Sequence, residues 1–225
     1  MTINVEEIVI GILGGTGDQG KGLARRFAMA GHSVIIGSRN EERAKTAADE
    51  IAQETLDIQG RVEGRTNHDT ARYAQIVIAT VPWEGHGELL TSLASELAGK
   101  IVIDCVNPIG FDARGAYALP VAEGSAAQQA AAVLPESTVV GAFHHVSAKL
   151  LLDPGVAEID LDVLVLGDDR EATDLVQALA ARIPGVRGIY AGRLRNAGQI
   201  EALTANLVSV NRRYKAHAGL RITDV

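Results

Sequence analysis

The sequence predicts a doubly wound α/β fold with a mostly parallel sheet, and three observations predict it. A short apolar run, Ile8-Val9-Ile10-Gly11-Ile12-Leu13, leads straight into Gly15-Thr16-Gly17-Asp18-Gln19-Gly20. A second apolar run, Ser33-Val34-Ile35-Ile36-Gly37, follows a helical stretch and ends in Ser38-Arg39. Further apolar runs at 76–81, 101–106 and 138–143 alternate with helix-patterned segments. These runs are continuous rather than alternating, as expected for parallel strands covered on both faces. Strands that alternate with helices define the α/β class.

The first unit reads as strand, glycine-rich turn, helix, strand. Each glycine has a physical role: Gly15 permits the tight turn, Gly17 lets backbone approach a pyrophosphate, and Gly20 lets the helix pack closely on the strand. Thr16, Gly17, Asp18 and Gln19 then surround the helix N-terminus, where free N–H groups and the dipole favour an anion. Leu23 and Phe27 give the following helix one apolar face, with Lys21, Arg25 and Arg26 elsewhere. Gly15 to Lys21 also fits the start of a P-loop. Residue 22 is glycine, however, so the hydroxyl that would hold magnesium is missing.

The end of the second strand selects the dinucleotide. NAD sites carry Asp or Glu there for the ribose hydroxyl, whereas NADP needs room and positive charge for a 2′-phosphate. Ser38 and Arg39 occupy that position, and Arg43 follows one helical turn later. A hydroxyl and two guanidiniums form a phosphate clamp, since charge-assisted bonds are the strong ones.

The later elements follow in order. Residues 40–55 read as a helix with Asn40 as N-cap, and 56–66 are ambiguous, with Val62 marking a short strand. A short helix at 68–74 precedes the strand that stops at Pro82. Residues 88–97 read as helix, and the next strand is stopped by Asn107-Pro108. A glycine- and proline-bearing stretch, 109–124, leads to a helix at 125–134 and the strand at 138–143. From about residue 146 the pattern continues with strands at 162–167 and 186–190 and helices at 171–182 and 195–215. This predicts a dinucleotide-binding domain over 1–145 and a smaller C-terminal α/β domain over 146–225. The last helix carries Ile200, Leu203, Leu207 and Val210 at helical spacing, which fits either a dimer surface or a buried intrachain helix.

Composition excludes several classes. The chain has 225 residues, a net charge of −7 and one cysteine. The negative charge disfavours nucleic acid and anionic membranes as partners. One cysteine permits no internal disulfide and no Cys-rich metal site, so a cytoplasmic setting is expected. No run reaches transmembrane length, and Glu6 and Glu7 argue against a leader peptide.

Ligands of open parallel sheets bind outside the C-terminal strand ends. Those ends carry Thr16 to Gln19, Ser38-Arg39, Val81-Pro82-Trp83, Asn107-Pro108 and His144 to Ala148. Trp83 fits either a cofactor wall or loop packing. His144 and His145 would point to opposite sides of a strand, so one could face the cleft or merely be hydrogen-bonded there. Cys105 reads as a buried small hydrophobe. The sequence has no H-E-x-x-H, paired cysteines or G-x-S-x-G, so no metal or acyl-transfer site is expected. Arg212, Arg213 and Lys215 are accounted for by solvent and the helix dipole.

Gly14-Gly15-Thr16-Gly17-Asp18-Gln19-Gly20-Lys21-Gly22-Leu23-Ala24, Gly37-Ser38-Arg39, Thr80-Val81-Pro82-Trp83-Glu84 and Ala142-Phe143-His144-His145-Val146-Ser147-Ala148 together closely resemble the coenzyme F420-dependent NADP reductases. The resemblance spans essentially the whole chain. It implies a Rossmann-like domain, a small domain that closes a deazaflavin cleft, and reversible hydride transfer between NADP(H) and F420. It assigns Thr16 to Gln19 to the pyrophosphate, and Ser38 and Arg39 to the 2′-phosphate. Arg43 stands where relatives carry a basic residue. Val81, Asn107, Ile109 and Ala148 would line the nicotinamide end, and His144 and its neighbours would face the deazaflavin. The chain departs from archaeal relatives at Gly85 before His86 and at His145-Val146-Ser147, where Thr-Ile-Pro is common. Both hydride-carrying carbons would belong to the cofactors, so no catalytic acid or base is expected. Two other readings stay open: an NADPH-dependent reductase of a flavin, imine or carbonyl, and a non-enzymatic NADP sensor.

Overall fold

The computed structural model describes residues 5, 8–55 and 58–225. Glu6 and Glu7, and residues 56 and 57 of the ambiguous connection, lie outside the described residues. The first half follows the expected order: β1 Val9–Leu13, α1 Asp18–Met29, β2 Ser33–Ser38, α2 Glu41–Glu54, β3 Arg61–Thr66, α3 Asn67–Tyr73 and β4 Ile76–Ala79. The second half runs α4 His86–Ser92, α5 Ala94–Leu97, β5 Ile101–Asp104, β6 Ile109–Asp112, β7 Gly115–Ala118, α6 Ala126–Val133 and β8 Thr138–Gly141. It ends with α7 Ala148–Leu152, β9 Leu161–Gly167, α8 Arg170–Ala180, β10 Val186–Gly192 and α9 Ala197–Tyr214.

Eight strands form one sheet in the order β10-β9-β8-β5-β4-β1-β2-β3. Its pairings are parallel apart from β8 with β9, which run antiparallel. The strands of the expected C-terminal unit therefore extend the sheet begun by residues 1–145, beyond β8.

Continuous apolar runs arise because both faces of the sheet are covered. Ile76 and Ile78 of β4 pack with Leu23 and Phe27 of α1, while Val77 and Ala79 face Leu90, Leu97 and Ala130. Burial of Leu23 and Phe27, both 0% exposed, stabilises by about 1.5–3 kcal/mol each.

The structure differs from the sequence expectation at several points. Arg25 and Arg26, which the sequence places off the apolar face of α1, are buried as well. Arg26 donates to the carbonyls of Leu150, Leu151 and Val156 at 2.6, 2.9 and 2.8 Å, so it satisfies two C-terminal carbonyls of α7 that helix geometry leaves free and one from the chain beyond it. The helix expected at 88–97 breaks at Leu93. The hydroxyls of Thr91 and Ser92 donate to the carbonyls of Gly87 and Leu89, side-chain bonds that compete with helical backbone pairing. The 109–124 stretch contains the β6–β7 hairpin. Asp112 Oδ1 accepts from the N–H groups of Arg114 and Gly115 at 2.7 and 3.1 Å, and Gly115 takes φ 127°. The short strand expected around Val62 is present as β3, paired in register with β2 from Ser33↔Arg61 to Ser38↔Thr66.

Candidate functional site

The glycine loop joins β1 to α1 and is held in place by backbone bonds. Gly15 N–H donates to the Gly37 carbonyl at 2.9 Å, and Gly14 N–H donates to Asn67 Oδ1 at 3.1 Å. A Cβ on Gly20 would overlap Gly15 and would sit 2.8 Å from its carbonyl carbon and oxygen. A Cβ on Gly17 would meet nothing within 4 Å. Gly20 is thus required by packing, whereas Gly17 faces open space where a ligand can approach.

The N-terminus of α1 opens onto that space. Asn40, Thr66, Ser125 and Asp169 cap α2, α3, α6 and α8 with side-chain oxygens, whereas α4, α5, α7 and α9 begin, like α1, without a side-chain cap. The N-cap of α1 is Gly17, with no side-chain bond. The free N–H groups of its first turn fit an external anion. Asp18 is exposed in that turn, so it would serve through its backbone rather than its carboxylate.

Beside the loop lies a cleft of about 320 Å³ lined by Thr16, Lys21, Asn40, Arg43 and Thr46, together with Glu42 and Glu50. The acids are neutralised in place: Lys21 pairs with Glu50 at 3.2 Å and Lys45 with Glu42 at 3.1 Å. Ser38 is buried at the end of β2, its Oγ accepting from Asn40 N–H at 3.1 Å. Arg39, one residue before Asn40, is exposed, as is Arg43.

The other strand ends meet the same loop. Val81 covers Gly14 so closely that a Cβ there would lie 2.5 Å from Val81 Cγ1. Pro82 is exposed and Trp83 half-buried, its ring leaning on His86 at 5.7 Å between centroids. Gln19 Nε2 donates to the Phe143 carbonyl at 3.4 Å. Asn107 Nδ2 donates to the His144 carbonyl at 2.7 Å, and the Thr204 hydroxyl donates to Asn107 Oδ1 at 3.3 Å. Ile109 is half-buried at the start of β6, and Ala148 opens α7, its carbonyl 3.5 Å from where a Gly22 Cβ would stand. Phe143 holds φ 63°, unusual for a bulky residue and a local strain that clusters at functional sites.

His144 and His145 sit in the turn after β8, not in the strand, and both are buried. His145 Nε2 lies 2.8 Å from the Asp162 carbonyl. The His144 ring is 0% exposed and reaches no hydrogen-bond partner among the described residues. Burial pulls its pKa down to about 4, which keeps it neutral. Its ring is therefore turned away from solvent, and what it offers the strand-end face is its backbone carbonyl. Cys105 is buried as expected, and burial pushes its thiol pKa up.

Sequence reasoning missed a buried polar cluster beneath these strand ends. His86 and Asp104 are fully buried and share a bond of 2.6 Å between Nε2 and Oδ2. His86 Nδ1 lies 3.0 Å from Gln129 Oε1. Both ring nitrogens thus face oxygen acceptors, an arrangement that the imidazolium satisfies. Burial alone would lower the His86 pKa, but the Asp104 bond and charge outweigh it and raise it. Asp104 Oδ1 accepts from Val106 N–H at 3.0 Å, which shapes the backbone leading to Asn107. Glu201 of α9 accepts from Ala126 and Ala127 N–H at 2.8 and 3.1 Å. The available signal was a lone aspartate ending the apolar run Ile101-Val102-Ile103; Glu201, beside the apolar Ile200, gave none.

Burial pushes the Glu201 pKa up to about 7 from 4.5, against the two N–H donors that hold it down. A raised carboxyl pKa means the folded state binds the extra proton. Its stabilising contribution is present below the unfolded value and is lost as pH rises through the folded value. We predict that Glu201→Gln gains stability relative to the unmodified protein between about pH 5 and about pH 8. Urea midpoints at the two pH values check this, and a constant difference would contradict it.

A mostly parallel sheet with an uncapped glycine-loop helix and a basic strand end defines a dinucleotide-binding protein of the NADP type. Residues 9–108 match the profile of the family described as NADP oxidoreductase, coenzyme F420-dependent. The F420-dependent NADP reductase of Methanothermobacter thermautotrophicus is 42% identical over 99% of this chain and 98% of its own. That of Methanocaldococcus jannaschii is 40% identical over 96% and 98%. A crystal structure from Arthrobacter sp. FB24, provisionally described as an F420-dependent NADP-reductase, superposes with TM-score 0.80 at 27% identity, covering 96% of this chain and 99% of that one. This chain belongs to the F420-dependent NADP reductase family.

Proposed function

We propose that the chain transfers a hydride reversibly between NADP(H) and coenzyme F420. The full-length similarity carries this reading. In it, the backbone of Gly15 to Gly20 holds the pyrophosphate, and Ser38, Arg39 and Arg43 hold the 2′-phosphate. Val81, Pro82 and Trp83 frame one side of the nicotinamide. Asn107, Ile109 and Ala148 frame the other, and the turn at His144 backs the deazaflavin. Residues 146–225 close the cleft on that side.

The nicotinamide and the deazaflavin each carry the hydride on a ring carbon, so the protein stacks, orients and excludes water. The buried, neutral His144 supports this over carbonyl or imine reduction, which needs a proton donor open to the substrate. Asn107, held by the His144 carbonyl and Thr204, fixes the strand-end backbone against which the rings would stack. The test is a spectrophotometric assay of F420 reduction by NADPH, with free flavins as controls. Turnover with F420 alone supports the reading. Turnover with flavins alone favours the flavin reductase, and NADP binding without turnover favours a sensor.

The same reading makes the protein a cytoplasmic homodimer with small-molecule partners and no nucleic acid. The net charge of −7 and the single buried Cys105 support it. In this reading Val210 and Tyr214, exposed one turn apart on α9, would offer the surface for a second copy, while Leu207 of the same apolar stripe is buried within the chain. No described helix is long and apolar enough to cross a membrane.

Cofactor choice follows from Ser38 and Arg39. We predict NADP(H) is preferred over NAD(H) by at least about tenfold, since one charge-assisted bond contributes roughly 1.5–3 kcal/mol. Arg39→Ala weakens NADP and barely changes NAD, as titration of both dinucleotides would read. Equal affinity of the unmodified protein for the two would contradict the assignment.

A further inference from the structure

We propose that the buried His86–Asp104 pair is a positioning pair that fixes the spacing between the two walls of the nicotinamide slot. The inference rests on the hydride-transfer reading and adds to it the residues that set the transfer distance. In that reading Trp83 stands in one wall and Asn107 in the other, and each is tied to one end of the pair.

His86 N–H donates to the Trp83 carbonyl at 3.1 Å, and its ring lies against the indole, 5.7 Å between centroids. Gly85 makes this turn at φ 94°, a conformation open to glycine at no steric cost. At the other end, Asp104 Oδ1 accepts from Val106 N–H at 3.0 Å. Asn107 comes next and donates to the His144 carbonyl at 2.7 Å. The 2.6 Å bond between His86 Nε2 and Asp104 Oδ2 joins the two ends.

The strands themselves stop short of this cross-link. β4 and β5 run parallel, with Ala79 level with Asp104, and Cys105 N–H donates to the Ala79 carbonyl at 3.3 Å. Past that bond, among the described residues, no backbone bond joins the loop after β4 to the loop after β5. Stability does not account for two charges here. Desolvation of a buried pair offsets much of its attraction, and apolar side chains of like volume are often as stable. A short charged bond supplies what apolar packing does not, a fixed length and direction. Hydride transfer needs both, since a misplacement of about 1 Å can slow a reaction about a hundredfold.

The test removes both charges together in His86→Leu/Asp104→Asn, so that neither is stranded and the side-chain amide keeps the Val106 bond. The melting temperature should stay close to that of the unmodified protein. NADPH affinity should hold within about twofold, because Ser38 and Arg39 lie at the end of β2, two strands from β4. Single-turnover hydride transfer to F420 should slow by about a hundredfold. Asp104→Asn alone keeps a hydrogen bond between the two side chains and should recover most of that rate. Trp83, the only tryptophan, gives a second reading that needs no double variant. A cation this close to an indole interacts with its ring, and an imidazolium quenches indole emission more than a neutral imidazole does. Burial opposes charge on His86, and the Asp104 bond and charge outweigh it. Asp104→Asn should therefore brighten Trp83 at about pH 7. Equal transfer rates in the unmodified protein and the double variant, or unchanged Trp83 emission in Asp104→Asn, would overturn the positioning pair and leave the hydride reading standing. A slower rate matched by an equal loss of NADPH affinity would also overturn it, since the pair would then serve binding. No turnover of F420 by the unmodified protein would overturn the hydride reading and this inference with it.

Discussion

Gly20→Ala is expected to weaken NADP binding about a hundredfold and to cost about 1–3 kcal/mol of stability, while Gly17→Ala weakens binding at least about tenfold at no measurable cost in stability. The contrast follows from where each added methyl would go. At Gly20 it meets the Gly15 backbone, so the loop must shift and its N–H groups lose their common aim. At Gly17 it meets nothing in the protein, and the backbone already sits at φ −82°. The methyl there stands where the pyrophosphate must approach. Thermal melts with isothermal titration of NADP check both. Normal NADP affinity in Gly17→Ala would remove the pyrophosphate from this loop.

Asp104→Ala is expected to destabilise the protein by about 3–5 kcal/mol, the range for breaking a buried ion pair by removing one partner. The change leaves the buried His86 ring without its carboxylate partner and Val106 N–H without its acceptor. Asp104→Asn keeps the Val106 bond and the side-chain volume, so it should lose less. Urea unfolding of the three proteins checks the order. A loss below about 1 kcal/mol in Asp104→Ala would mean that the pair is not the anchor of the β5 end, since surface substitutions fall near that size.

Much of this molecule was legible in its sequence because the relevant physics is local. The glycine spacing, the apolar runs and the Ser38-Arg39 end each follow from short-range backbone and charge requirements, and β1, α1 and β2 form where they predict. The misses share one cause, which is tertiary context. Arg26 reads only as a cation off the apolar face until α7 and the turn after it bring three carbonyls onto it. The 109–124 stretch reads as loop until Asp112 and Gly115 are seen to close a hairpin. His144 reads as a candidate for the cleft because its turn geometry is set by Phe143 at φ 63°, an outlier that no local preference announces. Glu201 and Asp104 are far apart in sequence and gain meaning only because α6, α9 and β5 meet there. The sheet continuing through β9 and β10 was likewise beyond reach, since strand order is a property of the assembled sheet.

Direct hydride transfer is the central claim, and one isotope experiment tests it most directly. NADPH carrying deuterium at the transferable C4 position is reacted with F420 in ordinary water, and the reduced deazaflavin is read by mass and by NMR at C5. With both hydride-carrying carbons held in one cleft, the account predicts that the deuterium arrives at C5 intact. Deuterium lost to water in a single turnover, or solvent hydrogen found at C5, would contradict it.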